Sequence, residues 1–72
     1  MARYTVRLSR NGETSYTNPT LREATASGLA RMYREGDCLG RVFEALVMTT
    51  ADALAEMAGH GIELPTDRAW RA

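Results

Sequence analysis

Residues 41–50 read Arg41-Val42-Phe43-Glu44-Ala45-Leu46-Val47-Met48-Thr49-Thr50, and the fold turns on what they form. Taken as helix, they join a stripe of Leu39, Val42, Phe43, Leu46, Thr50, Ala53, Leu54 and Met57 at the three-and-four spacing of an amphipathic helix. Asp37 then caps that helix, and Gly59 or Gly61 ends it. Taken as strand, Arg41–Met48 belongs to a sheet, and Thr49 or Thr50 caps a shorter helix. A half-buried strand alternates apolar and polar residues. Here Val42-Phe43 and Ala45-Leu46-Val47-Met48 are apolar runs. The spacing therefore favours one long helix over residues 38–59, with the strand as the alternative.

Upstream the pattern changes. Tyr4, Val6 and Leu8 alternate with Arg3, Thr5, Arg7 and Ser9, the period of a strand with one face buried. Asn11-Gly12 tolerates positive φ and predicts a hairpin over residues 3–17. A two-residue loop pairs Arg10 with Glu13 and puts Tyr16 opposite Arg7, on the outer face. A three-residue loop pairs Val6 with Tyr16, on the inner face. The shortage of large core groups favours the second register, because a slip of one residue reverses every side chain.

Helix 1 is expected over residues 20–35. Thr20 and Glu23 have capping-box spacing. Leu21, Ala24, Thr25, Gly28, Leu29, Met32 and Tyr33 form its apolar face, and Gly36 ends it in a left-handed conformation. Ala24 and Gly28 would let another backbone come close. Residues 60–72 form an extended tail, in which Ile62-Glu63-Leu64 is a short extended segment and Trp70 is a lid on the core or an interface anchor. The expectation is a single α+β domain of 72 residues, a β-hairpin covered by two antiparallel helices (ββαα), with ββαβα as the alternative.

One cysteine, Cys38, excludes an internal disulfide, and with the single His60 it leaves no zinc site of the usual kind. No cofactor is implied. The lone thiol and the lack of a signal peptide suggest a cytoplasmic protein, and no apolar run is long enough to span a bilayer. The net charge is zero, but residues 1–36 carry six Arg against three Glu, and residues 37–72 carry three Arg against six Asp and Glu. Either the halves attract each other within one fold, or two surfaces of opposite sign meet partners.

Nothing specifies a reaction. His60, in Gly59-His60-Gly61, suits a helix C-terminus. Cys38 reads as a buried thiol. Asp52 and Glu56, one turn apart, read as a solvated face. No catalytic residue is assigned, and protein binding fits best. The acidic set Glu44, Asp52 and Glu56 would meet a basic or nucleic-acid-binding protein surface. The hairpin edges offer a template for strand addition. The arginine strip Arg3, Arg7 and Arg10 could serve the same partner or contact nucleic-acid phosphates directly. On the long-helix reading, Val47, Ala51 and Ala58 widen the apolar arc of helix 2 beyond the roughly 100° one neighbour covers. That points to a homodimer through Val47, Met48, Ala51 and Ala55, unless the tail folds back over the same surface.

The segment Tyr4-Thr5-Val6-Arg7-Leu8, the hairpin and Thr20 to Tyr33 resemble the opening of HicB-type antitoxins, where a strand pair leads into a helix. In that family a third strand and a separate DNA-binding segment follow, and on this reading the chain departs from the pattern in that both are missing. The whole chain is also similar, in size and in the lack of catalytic motifs, to the small inhibitor proteins of phages and mobile elements, anti-CRISPR proteins among them. That resemblance implies stoichiometric binding to a defence complex, often at its nucleic-acid site. It carries over no individual residue.

Overall fold

A computed structural model describes residues 2–71. Two strands, β1 (Tyr4–Arg10) and β2 (Glu13–Tyr16), are followed by a helix, α1 (Glu23–Glu35). A third strand, β3 (Glu44–Thr49), leads directly into α2 (Thr50–Gly59), and a 3-10 turn spans Arg68–Trp70. The order is ββαβα, so the long helix over 38–59 does not form. The sheet is antiparallel with strand order β2-β1-β3.

The sheet is covered on both faces, which explains why β3 reads as an apolar run. Cross-strand partners share a face. Val6 pairs with Val47 and Leu8 with Ala45, and these pack on Ala26, Leu29, Ala30 and Tyr33 of α1. Thr5 pairs with Met48 on the opposite face, where Met48 and Tyr16 pack against Ala53, Leu54, Met57 and Trp70. Because β3 packs Val47 toward α1 and Met48 toward α2, neither of its faces is purely polar and the alternation is lost. The two helices therefore sandwich the sheet and do not lie side by side over one face.

Three local signals were real but did different work. Asp37 does not start a helix. Its Oδ1 accepts from the backbone N–H of Leu39 and Arg41, and its Oδ2 pairs with the Arg41 guanidinium at 2.7–2.8 Å, closing the loop before β3. Thr49 is the true cap: its hydroxyl accepts from Asp52 N–H at 3.2 Å. Thr20 forms no capping box. It bridges to Tyr4 through reciprocal backbone bonds of 2.8 and 2.9 Å, its hydroxyl donates to Arg22 C=O, and α1 begins at Glu23.

The hairpin takes the two-residue register, with Arg7 opposite Tyr16 and Arg10 opposite Glu13, so Tyr16 lies on the face away from Val6. Asn11 and Gly12 have φ of 52° and 79°, the left-handed pair this turn requires. Gly36 ends α1 at φ 129°, ψ 133°, positive but outside the left-handed helical region expected there. The tail is not simply extended. It turns back so that Trp70 closes over Ala53 and Met57.

Helix α1 is rotated relative to the expected stripe. Ala26 and Ala30 are buried, whereas Leu21, Ala24, Thr25, Gly28 and Met32 are exposed. Small side chains at positions 26 and 30 let the helix lie close on β1 and β3. A Cβ built at Gly28 meets nothing within 4 Å, so Gly28 is not a point of helix–helix contact. Gly28→Ala is expected to stabilise the protein by about 0.5–1 kcal/mol, because glycine costs that much in an exposed helix. Urea denaturation checks this, and a loss of stability would mean that this face of α1 is packed.

Candidate functional site

The face of the sheet that the sequence presents as outward is occupied by α2, and its polar residues find partners there. The hydroxyls of Thr5 and Thr50, both buried, lie 2.9 Å apart. Arg7 Nη1 donates to both carboxylate oxygens of Glu56 at 2.9 Å, and Tyr16 OH donates to Glu56 Oε1 at 2.6 Å. The 2.6 Å contact is short, as charge-assisted O–H···O bonds are. Arg7 and Glu56 come from the basic and acidic halves of the chain, so the halves do attract each other here. Arg3 Nη1 donates to the carbonyl of Ala69 at 3.0 Å and ties down the tail.

These bonds set the electrostatics. The Tyr16 hydroxyl, followed by the Arg7 guanidinium, holds the Glu56 carboxyl below the usual carboxylate range. Burial, and then the bond to Glu56, push the Tyr16 phenol above its ordinary value. Both shifts lead away from neutrality, where a general acid or base would need to sit. The cluster works as a lock between β1, β2 and α2. A depressed carboxyl contributes stability above its unfolded pKa, and that contribution is lost as the pH falls through the folded value. A Glu56→Gln variant should therefore be less stable than wild type at pH 7, with the difference shrinking below about pH 4.3. The comparison isolates Glu56 from Asp37, whose carboxyl is also held down, chiefly by Arg41, and which is present in both proteins. Paired thermal melts at pH 7 and pH 3 check it, and a difference that does not change with pH would contradict the lock.

The expected contact residues are dispersed by this arrangement. Arg3 and Arg7 are engaged, leaving Arg10 exposed at the end of β1. Glu44 is exposed opposite Ser9, Asp52 is exposed in the first turn of α2, and Glu56 is held in the lock, so the three do not form one acidic helix face. Val47 and Met48 point to opposite faces of β3 and into different clusters, while Ala51 and Ala55 are exposed on α2. The wide helical arc that argued for the dimer is therefore absent. Cys38, expected to be buried, is exposed in the loop after α1. His60 is exposed at the end of α2, and its backbone N–H bonds Glu56 and Met57 carbonyls.

The feature not foreseen is the outer edge of β3. Thr17 N–H bonds Val6 C=O, and Thr50 N–H bonds Arg3 C=O. Even-numbered residues of β1 thus turn their backbone groups toward β2, and odd-numbered ones turn theirs toward β3. In an antiparallel ladder this places the bonded β1–β3 pairs at Thr5–Met48, Arg7–Leu46 and Ser9–Glu44. The N–H and C=O groups of Ala45 and Val47 then point away from the sheet. Ala45 C=O accepts from Arg34 Nε and Nη2 at 3.2 and 2.6 Å. Leu46 stands beside this edge, 48% exposed.

Among the described residues no helix is long and apolar enough to cross a membrane. No protein-family model, curated protein or solved structure matches the chain.

Proposed function

We propose that the chain is a non-enzymatic protein-binding module that adds a strand of its partner to the outer edge of β3. The observation that carries this is the pair of outward-facing backbone positions, Ala45 and Val47, beside an exposed Leu46. An open edge of this kind is a template for pairing with another chain. Such a module acts by occupancy. It would inhibit a larger assembly stoichiometrically, one that handles nucleic acid, in keeping with the resemblance to small mobile-element inhibitors. The alternative, an antitoxin-like or other small regulator holding nucleic acid on an arginine ribbon, is weakened by the engagement of Arg3 and Arg7.

Affinity capture from host lysate, with and without nuclease, tests the proposal when run beside an Ala45→Pro variant. Proline there removes an N–H that faces away from β1, so the internal ladder keeps its bonds. A partner retained after nuclease treatment and lost with Ala45→Pro is the expected result. Retention of bare oligonucleotides at low salt, falling steeply as salt rises, would favour the nucleic-acid reading instead.

A further inference from the structure

If a partner strand adds to β3 as proposed, the side chains around that edge select its chemistry. The partner strand would lie beside β3 and along the exposed flank of α1. A shallow groove on that flank is lined by Ala24, Ser27, Gly28, Arg31 and Arg34. Its lining carries two cations and no anion. Arg34 belongs to both features, since it lines the groove and its guanidinium reaches the β3 edge at Ala45 C=O. On the other side of the edge the neighbouring side chains are Leu46 and Met48, with the exposed Glu44 at the start of the strand, so that side is apolar along its second half.

We infer that this edge takes an extended segment of a partner protein whose alternate side chains are carboxylates facing α1, with apolar residues between them facing Leu46. In a strand, successive side chains point to opposite faces, so one peptide meets both requirements. The incoming backbone N–H replaces Arg34 at Ala45 C=O. The released guanidinium then takes a carboxylate, for which its planar fork is suited. A second copy of this chain is disfavoured at the same edge, because it would bring Arg31 and Arg34 of both copies onto one face of the joined sheet. Gly28 leaves room on the flank, with nothing within 4 Å of an added Cβ.

The test uses two capped synthetic hexapeptides, one alternating Glu and Val and the other alternating Lys and Val. Each is titrated into the isotope-labelled full chain. The Glu peptide should shift the Ala45 and Val47 amides and the Arg34 Nε signal. It should bind about tenfold more tightly than the Lys peptide at low salt, a preference that shrinks as salt rises. The double variant Arg31→Glu/Arg34→Glu should reverse the order. If that variant does not fold, Arg31→Gln/Arg34→Gln should abolish the preference without reversing it. Equal or tighter binding of the Lys peptide at β3 overturns the acidic assignment and leaves strand addition standing. No shift at β3 with either peptide overturns both. A free protein that sediments as a dimer with its Val47 amide already protected gives the edge to a second copy and overturns the inference.

Discussion

Trp70→Ala is expected to cost about 3–5 kcal/mol, the range for removing a buried tryptophan, and so to leave much of the protein unfolded at 25 °C. A domain of this size has roughly that much stability in total. Trp70 is 6% exposed and sits on Ala53 and Met57, in a cluster joined by the partly buried Tyr16, Met48 and Leu54. The turn that carries Trp70 is also held locally: Asp67 Oδ1 accepts from Ala69 N–H at 2.9 Å, and Arg3 donates to the Ala69 carbonyl. Circular dichroism during urea titration measures the cost. Amide exchange in the variant should show α2 losing protection before β1 and α1, which share the other cluster. A cost below about 1 kcal/mol, the level of an ordinary surface change, would return Trp70 to the role of an interface anchor.

Ala26→Leu is expected to destabilise the chain by about 1–3 kcal/mol through overpacking. Ala26 has no exposed surface and Ala30 almost none, and both lie against Val6 and Leu8. The larger side chain has to push α1 off the sheet or strain Val6. Leu29, Tyr33 and Phe43 would move with it, because they pack on the same cluster and the Tyr33 and Phe43 rings meet edge to face at 5.4 Å. The contrast with Gly28→Ala fixes the rotation of the helix. One added methyl at position 28 should help, while three added carbons at position 26 should harm. If both substitutions proved neutral, α1 would not be seated on the sheet as described.

Much of this architecture was legible in the chain, and the errors share one cause. The first strand, the Asn11-Gly12 turn, the existence of α1 and the attraction between the charged halves all follow from pattern and charge. The errors came from assuming that the sheet has a single covered face. On that assumption Tyr16 had to point inward, the Arg3–Thr5–Arg7 side had to face solvent, and an apolar run such as Ala45 to Met48 had to be helix. In fact α2 covers the second face with a mixed surface in which Thr50 meets Thr5 and Glu56 meets Arg7 and Tyr16. A polar strand face satisfied by another element looks, in sequence, the same as one satisfied by water. The rotation of α1 was missed for a related reason: Leu21 and Met32 weigh more in a hydrophobic pattern than Ala26 and Ala30, yet only the small residues fit close against strands. The signal that could have decided for β3 was Thr49-Thr50-Ala51-Asp52, a cap directly followed by a helix start, which leaves Arg41–Met48 outside α2. The open edge was beyond reach, because it depends on which strand lies at the centre, and β1 takes that place only once β3 exists.

The most direct measurement of the account is nuclear magnetic resonance of the free chain across Glu44–Thr49, read for strand contacts and amide exchange together. Closely spaced Hα–Hα contacts are expected for Val6–Val47 and Leu8–Ala45, the non-hydrogen-bonded pairs of the ladder. The amides of Leu46 and Met48 should be protected by β1, while those of Ala45 and Val47 exchange freely at the open edge. Helical shifts from Val42 to Met48 without those contacts would contradict the fold. Slow exchange at Val47 in the free monomer would contradict the open edge on which the proposed function rests.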